Sequence, residues 1–353
     1  MIENERPSQK LHKNMRKMYN KLFMRIRSCT FAISTLNVIL IIVLASTFFF
    51  SISFFPVIAV DVTESYFVPH QTGINTLTFN LNVSVANVNL VFEDLDEKLL
   101  VLNVSIYGKV GFMATNLFDI AFNYTTIDNM LTVNSKFDTS GLWPWYEPGW
   151  LKATCNVFID PSLNASVDVK TNSGQILLHS QTDAVISFLS LESLKDEIRV
   201  NLTRDTTIAG NIFISTTAGI EFLWDDITLT NNVLVHLKGG MRELEDPPFL
   251  PGEVNASLKQ EKALEGNVTF KAETPIGQIN FAMDVRGNVG VEIESVSLSG
   301  IDMITIDHLV GFSDWSRSTK SPLNSNNYPA SSNFNVVLKT NTGNIHISSE
   351  YNP

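Results

Sequence analysis

The chain has 353 residues, with 25 Lys and Arg against 36 Asp and Glu, a formal net charge of −11, and only two cysteines. This acidic balance excludes a nucleic-acid binder, because a phosphate backbone calls for basic stripes and the Lys and Arg beyond residue 30 are scattered singly. Cys29 borders an apolar run, so Cys155 has no intrachain partner beyond it; a disulfide-stapled domain is excluded and stability must come from packing.

Residues 1–30 form a basic cytoplasmic segment carrying Arg6, Lys10, Lys13, Arg16, Lys17, Lys21, Arg25 and Arg27. Leu11, Met15, Met18, Leu22 and Ile26 recur at helical spacing among them, the pattern of a helix on an anionic inner leaflet or of an extension of a membrane helix. Residues 31–60 contain no charged side chain, a run longer than the roughly 20 apolar residues that span a bilayer. The spacing predicts one transmembrane helix over 31–60, with the lipid bilayer as its partner. The positive-inside bias then puts 61–353 outside the cytoplasm. A cleaved signal peptide ending near Val57-Ile58-Ala59 is the competing reading, but the apolar part of a signal is only about 7–15 residues. Cys29, at the inner membrane edge, reads as a buried thiol rather than an acylation site. Removing the first thirty residues leaves 17 basic against 34 acidic side chains, near −17 for the rest.

From residue 75 onward, apolar and polar residues alternate with period two, as in LTFNLNVSVANVNLVF and KLLVLNVSIYGKVGF, which predicts an all-β, essentially helix-free domain. Glu93, Asp94, Leu95, Asp96 and Glu97 between these runs read as a hairpin tip. The chain divides into a paired-strand part over 61–160 and a repeat-bearing part over 161–353. The repeat is VDVKTNSGQILL at 167–178, FKAETPIGQINF at 270–281 and VVLKTNTGNIHI at 336–347, with a looser copy, TTIAGNIFI, at 206–214. Gly174, Gly210, Gly277 and Gly343 hold the same place in these units and read as corners where the chain turns with positive φ or lets backbones approach. Their spacings of 36, 67 and 66 residues are irregular, so no strict solenoid period applies. A unit that cannot bury its own apolar face must stack on its neighbours.

These T-x-x-G-x-I-x-[ILF] units, with the preceding paired-strand region and an N-terminal membrane helix, resemble the putative-adhesin family and the related toast-rack domains of bacterial envelope-stress proteins. The resemblance spans roughly residues 75–350. It implies irregular stacked β-layers, a partial right-handed β-helix, mostly without an assigned activity, and it supplies no catalytic residue. The chain departs from the pattern at 143–150 and at the polar stretch 312–334.

Trp143, Trp145, Tyr146 and Trp150 lie in a proline-broken segment, LWPWYEPGW, that cannot be a regular central strand. It reads as a cap on one open end of the stack, or else as a binding loop for sugar rings, membrane or protein. The acidic groups Asp94/Asp96/Glu97, Asp225/Asp226 and Glu243/Glu245/Asp246 lack the ligand spacing of a calcium loop. His70, His179, His236, His308 and His346 are dispersed without zinc spacing. Sequons stand at Asn82, Asn103, Asn123, Asn164, Asn201, Asn255 and Asn267. No nucleophile elbow, phosphate loop or dinucleotide fingerprint is present, and no cofactor is expected. The sequence thus points to a membrane-anchored extracytoplasmic binding or scaffolding module, adhesin-like, with an envelope glycan or surface protein as its partner and no nucleic acid. An envelope-stress signalling role and a carbohydrate-active enzyme on a β-helix are the alternatives, and oligomeric state is left open.

Overall fold

The computed structural model describes Met18, Lys21 and residues 57–111, 118–139, 151–180, 183–204, 206–240, 252–297, 304–313 and 322–352. The chain separates into Met1–Val57 and Ile58–Pro353, and the architecture below is that of the second unit.

Period-two alternation is realised as 24 strands. The N-terminal ones are β1 (Val57–Pro69), β2 (Thr76–Val85), β3 (Asn87–Phe92), β4 (Lys98–Gly111), β5 (Asp119–Ile127), β6 (Met130–Asp138), β7 (Leu151–Ile159) and β8 (Asn164–Ser173). Then come β9 (Ile176–Ser180), β10 (Val185–Ser193), β11 (Ile198–Leu202), β12 (Thr207–Ile208), β13 (Ile212–Thr216), β14 (Ile220–Asp225), β15 (Thr228–Leu229) and β16 (Val233–Lys238). The last are β17 (Gly252–Gln260), β18 (Val268–Arg286), β19 (Gly290–Ser297), β20 (Ile304–Val310), β21 (Phe312–Ser313), β22 (Leu323–Ser325), β23 (Asn333–Thr342) and β24 (Ile345–Asn352).

These strands build two mostly parallel ladders. Ladder A runs β1, β4, β7, β3, β9, β11, β14, β17, the second half of β18, β24 and β20. Ladder B runs β5, β6, β2, β8, β10, β13, β16, the first half of β18, β23 and β19, with short β12 and β15 alongside and β22 and β21 at its end. Each rung gives one strand to B and the next to A.

Strict register turns the alternation into columns. In ladder B, Val133, Phe79, Val167, Leu189, Ile212, Val235, Phe270, Val336 and Ile293 are successive partners, and all are buried. Ladder A offers the matching column Leu102, Val157, Leu90, Leu178, Val200, Phe222, Ala256, Phe281 and Ile347. The two faces meet: Phe270 of B lies 5.9 Å from Phe222 and 5.5 Å from Phe281 of A, and Trp224 of A meets Phe334 of B at 6.1 Å. One core cluster runs from Val60 to Ile347, so the paired-strand part and the repeat-bearing part share it. Each such Val, Leu, Ile or Phe contributes about 1.5–3 kcal/mol.

The turn from ladder B to ladder A explains the T-x-x-G unit. Gly174, Gly277 and Gly343 have φ of +128°, +141° and +142°. A Cβ on Gly174 would stand 1.9 Å from Ala86 O, on Gly277 1.7 Å from Gly252 O, and on Gly343 1.8 Å from Gly277 O. The threonine three residues earlier is buried, and its hydroxyl donates to a corner carbonyl: Thr171 Oγ1 to Ser173 O at 2.9 Å, Thr274 Oγ1 to Ile276 O at 3.0 Å, Thr340 Oγ1 to Gly277 O at 3.4 Å.

Several expectations are corrected. Gly210 is not at this corner and lacks a positive φ. It sits between β12 and β13, where the neighbouring strand shifts register between Ile186 and Phe188, and a Cβ there would meet Ser187 O at 1.8 Å. It permits close approach inside ladder B, while the corner of that rung follows Thr216. The Glu93–Glu97 stretch is not a hairpin tip, because β7 lies between β3 and β4, parallel to one and antiparallel to the other. Residues 57–60 are extended within β1, so a helix over 31–60 cannot reach its expected end. No helix among the described residues is long and apolar enough to cross a membrane. The polar stretch 312–334 contributes β21 and β22 to ladder B.

Both ends depart from chain order. The β2/β3 rung lies between the β6/β7 rung and the β8/β9 rung. At the far end, β23 lies between β18 and β19, and β24 between β18 and β20. Antiparallel β4 and β5 close the N-terminal end, where Tyr66 of β1 stacks on Phe122 of β5 at 5.4 Å.

The corner geometry makes a paired prediction. Gly73 has φ +93° with nothing within 4 Å of its Cβ position, so Gly73→Ala should lose only the ~1–2 kcal/mol of left-handed strain. Gly277→Ala adds a clash with the next rung's backbone and should lower the melting temperature clearly more. Equal shifts would contradict stacking at that corner.

Candidate functional site

Residues of opposite parity in the same strands face outward, and the same register lines them up. In ladder A, Glu221, Asn255, Asn280 and His346 are successive partners. Asn280 Nδ2 donates to Asn255 Oδ1 at 2.7 Å and to Glu253 Oε1 at 2.9 Å, and Gln278 Nε2 donates to Asn280 Oδ1 at 2.6 Å. Beside them runs a row of shorter side chains, Ser257, Ala282 and Ser348. Short beside long leaves a shallow trough of about 440 Å³.

A second trough of about 440 Å³ lies on ladder B over β5, β6, β2 and β8. Its successive partners are Asn123, Asn134, Asn80 and Asp168. Asn80 Nδ2 donates to Asn134 Oδ1 at 2.9 Å. Lys136 and Lys170 line the same trough, paired with Asp138 at 3.0 Å and Glu192 at 3.4 Å. Both troughs offer carboxamides, hydroxyls and a few charges at one set per strand. Such surfaces can hydrogen-bond a ligand along the stack but offer no converging acid and base.

The most buried polar network lies elsewhere, at the turn after β14. Asp226, at φ 55°, is 2% exposed. Its Oδ1 accepts from Glu261 N at 3.0 Å and Lys262 N at 2.7 Å, and Arg204 Nε lies 3.3 Å from Oδ2. Gln260, fully buried, accepts from Trp224 Nε1 at 2.9 Å and donates to Lys262 O at 2.9 Å and Ile227 O at 3.2 Å. Every strong donor there is answered within the protein, so the network is a structural clamp. The sequence shows Asp225/Asp226 only as an acidic pair without calcium-loop spacing and does not single out Gln260, Trp224 or Arg204; an isolated Gln at an inward position of an alternating strand is the available signal.

Other candidates disperse. Asp96 N donates to Asp94 Oδ1 at 3.0 Å in a local turn, and Glu243, Glu245 and Asp246 lie outside the described residues. Among the described residues no group of three His, Cys, Asp or Glu is placed to hold a metal. His70 is exposed, His179 and His346 are half-buried, and His308 lies in β20. Cys155 is buried, and burial pushes its thiol up to about 12, leaving it protonated and inert. Of the sequons, Asn82 and Asn123 are exposed, whereas Asn164, Asn201 and Asn255 are half-buried. Asn103 accepts from Ser65 Oγ at 2.6 Å and Asn267 from Asn333 N at 2.9 Å. Trp143, Trp145, Tyr146 and Trp150 lie outside the described residues, in the link between β6 and β7.

No protein-family model matches the chain, and no curated protein matches it. Among solved structures it is similar to a putative cell adhesion protein from Clostridium sporogenes, with 13% identity, 82% of this chain and 100% of the other covered, and a TM-score of 0.39. Putative adhesins from Bacteroides fragilis (11% identity, 82% and 97% covered, TM-score 0.27) and Parabacteroides merdae (12%, 80% and 95%, 0.26) are also similar. Likeness at this level carries neither an activity nor a ligand.

Half-buried His236, on the outer face of β16, makes a pH prediction. Burial lowers its pKa below the usual imidazole value, outweighing Glu273 at 3.4 Å, and Lys238 and Lys271 lower it further. The unfolded chain therefore binds the proton more readily. The neutral ring's contribution is complete above the unfolded pKa of about 6.5 and is lost as pH falls below it. Denaturation midpoints should drop from pH 7.5 towards pH 5, and His236→Gln should flatten part of that slope.

Proposed function

We propose that the chain is a non-catalytic binding module, anchored in the cell membrane through its apolar segment and displayed outside the cytoplasm, which holds a surface glycan or a surface protein in the manner of an adhesin. The observation that supports this reading is the chemistry of the outer faces: amide and hydroxyl rows at one per strand, with Asp138, Glu192, Glu221 and Glu253 held by Lys, Arg or Asn instead of converging on one point. A sugar chain presents hydroxyls at a comparable repeat and suits such a row better than a compact substrate does. The charge asymmetry between residues 1–30 and the first residues after 60 supports the orientation.

Protease added to intact cells expressing the full chain should digest residues beyond 61. Survival on intact cells, with digestion after lysis, would count against external display. For the troughs, purified full-length protein in detergent should retain glycans or surface proteins on an array. Placing Arg at Asn80 and Asn134, or at Asn255 and Asn280, should weaken retention by about tenfold or more while leaving the circular dichroism unchanged. Retention indifferent to both pairs would remove the troughs as the binding surface.

A further inference from the structure

The ends of both ladders are sheet edges with unpaired backbone groups, and edges invite pairing unless guarded. Three are guarded. β1 carries Asp61 and Glu64 and ends on Pro69. β20 carries Asp307 and shifts register between Ile306 and His308. β22 and β21 are only three and two residues long.

β5 has a charge only at its first residue, Asp119, and none of the other devices. It is nine residues long, uncharged from Ile120 to Ile127 and free of proline, and it pairs with β6 in unbroken register from Asp119↔Asp138 to Ile127↔Met130. Among the described residues it has no strand on its other side.

The two ladders are also unequal here. Ladder A extends past the β6/β7 rung by β4 and β1, whereas ladder B extends by β5 alone. Among the described residues ladder B thus stops one strand short of β1, which reaches β5 through Tyr66 on Phe122, and the deficit shows in burial. Leu131, Val133 and Phe137 of β6 are fully buried, while their partners on β5 are not: Thr126 is exposed, Tyr124 is 43% exposed and Ile120 is half-buried, as is Phe122 opposite buried Ser135. Tyr66 of β1, Phe122 and Tyr124 form a chain of rings at 5.4 and 6.3 Å along the open side.

We propose that β5 is a docking edge for an extended strand of a second protein, which completes the terminal rung opposite β1. The incoming strand pairs its backbone with β5 and sets alternate apolar side chains over Tyr66, Phe122 and Tyr124. Asp119 and Asp128 stand at the two ends of β5 on an acidic domain, so the strand it accepts carries basic residues at its ends. A second copy is a poor occupant: two-fold pairing of β5 with itself brings the copy's β4 onto the place held by β1.

The probe is a fluorescent synthetic copy of residues 130–138, the sequence that already pairs with β5, with a lysine added at each end. Titrated with full-length protein in detergent, it should give saturable anisotropy, weakened by about tenfold or more when the end lysines become glutamates. Hydrogen exchange should slow at residues 119–127 on binding. The variant Tyr124→Lys with Thr126→Lys changes exposed positions, should keep the wild-type melting temperature, and should lose most of the binding. Absence of saturable binding, equal binding by a scrambled peptide, or protection away from β5 would overturn the proposal. So would light scattering that shows a dimer the peptide does not dissociate, since a second copy would then hold the edge.

Discussion

Rung-on-rung register is the constraint from which the rest follows. Strands in a ladder stand about 4.8 Å apart, and where the chain leaves ladder B for ladder A at residues 174, 277 and 343, the backbones of neighbouring corners are too close for a side chain. Glycine at Gly174, Gly277 and Gly343 is a steric consequence of stacking. The buried threonines beside them answer the carbonyls that the turn removes from the ladders. Once the corners repeat in place, each inward residue meets its like above and below, and a continuous core forms.

The same register imposes order on the outside. A repeat that aligns Val and Leu inward must also align Asn, Ser, Lys and Glu outward, and like charges in one row would repel at strand spacing. Several rows avoid this by alternation or neutrality: Lys170 meets Glu192, Arg199 meets Glu221, and Asn280 bridges Asn255 and Glu253, whereas Asp284 stands opposite Glu350 and Asp119 opposite Asp138. The outer faces are thereby rigid, polar and periodic, properties that a recognition surface inherits from the fold.

The legible parts of the fold are those written locally. Period-two alternation gives the strands, and the T-x-x-G unit gives three real corners, because both depend on neighbours in sequence. Gly210 misled because the surrounding letters match the unit while a register shift in the next strand supplies the reason for the glycine. The placement of β7 between β3 and β4 and the clamp joining Asp226 to Gln260 depend on which strands meet across long stretches of chain. Nothing in the run from Glu93 to Glu97 distinguishes a hairpin from a crossing that returns with another strand in between. The uneven ladder ends are invisible for the same reason: only the count of strands on each side, among the described residues, shows that ladder B stops one strand short of ladder A.

The insertion of β23 and β24 bears on how the protein is made. β23 and β24 follow β19 and β20 in the chain yet occupy the rung between those strands and β18. During synthesis β18, β19 and β20 exist before the strands that separate them, so the core at that end cannot close until β24 has been made. A chain cut short there is not a slightly shorter stack with a new end. It has an open slot in its interior, with two unpaired edges and a strip of apolar surface, the condition that proteases and chaperones recognise. The presence of β23 and β24 is thus checked by the fold itself.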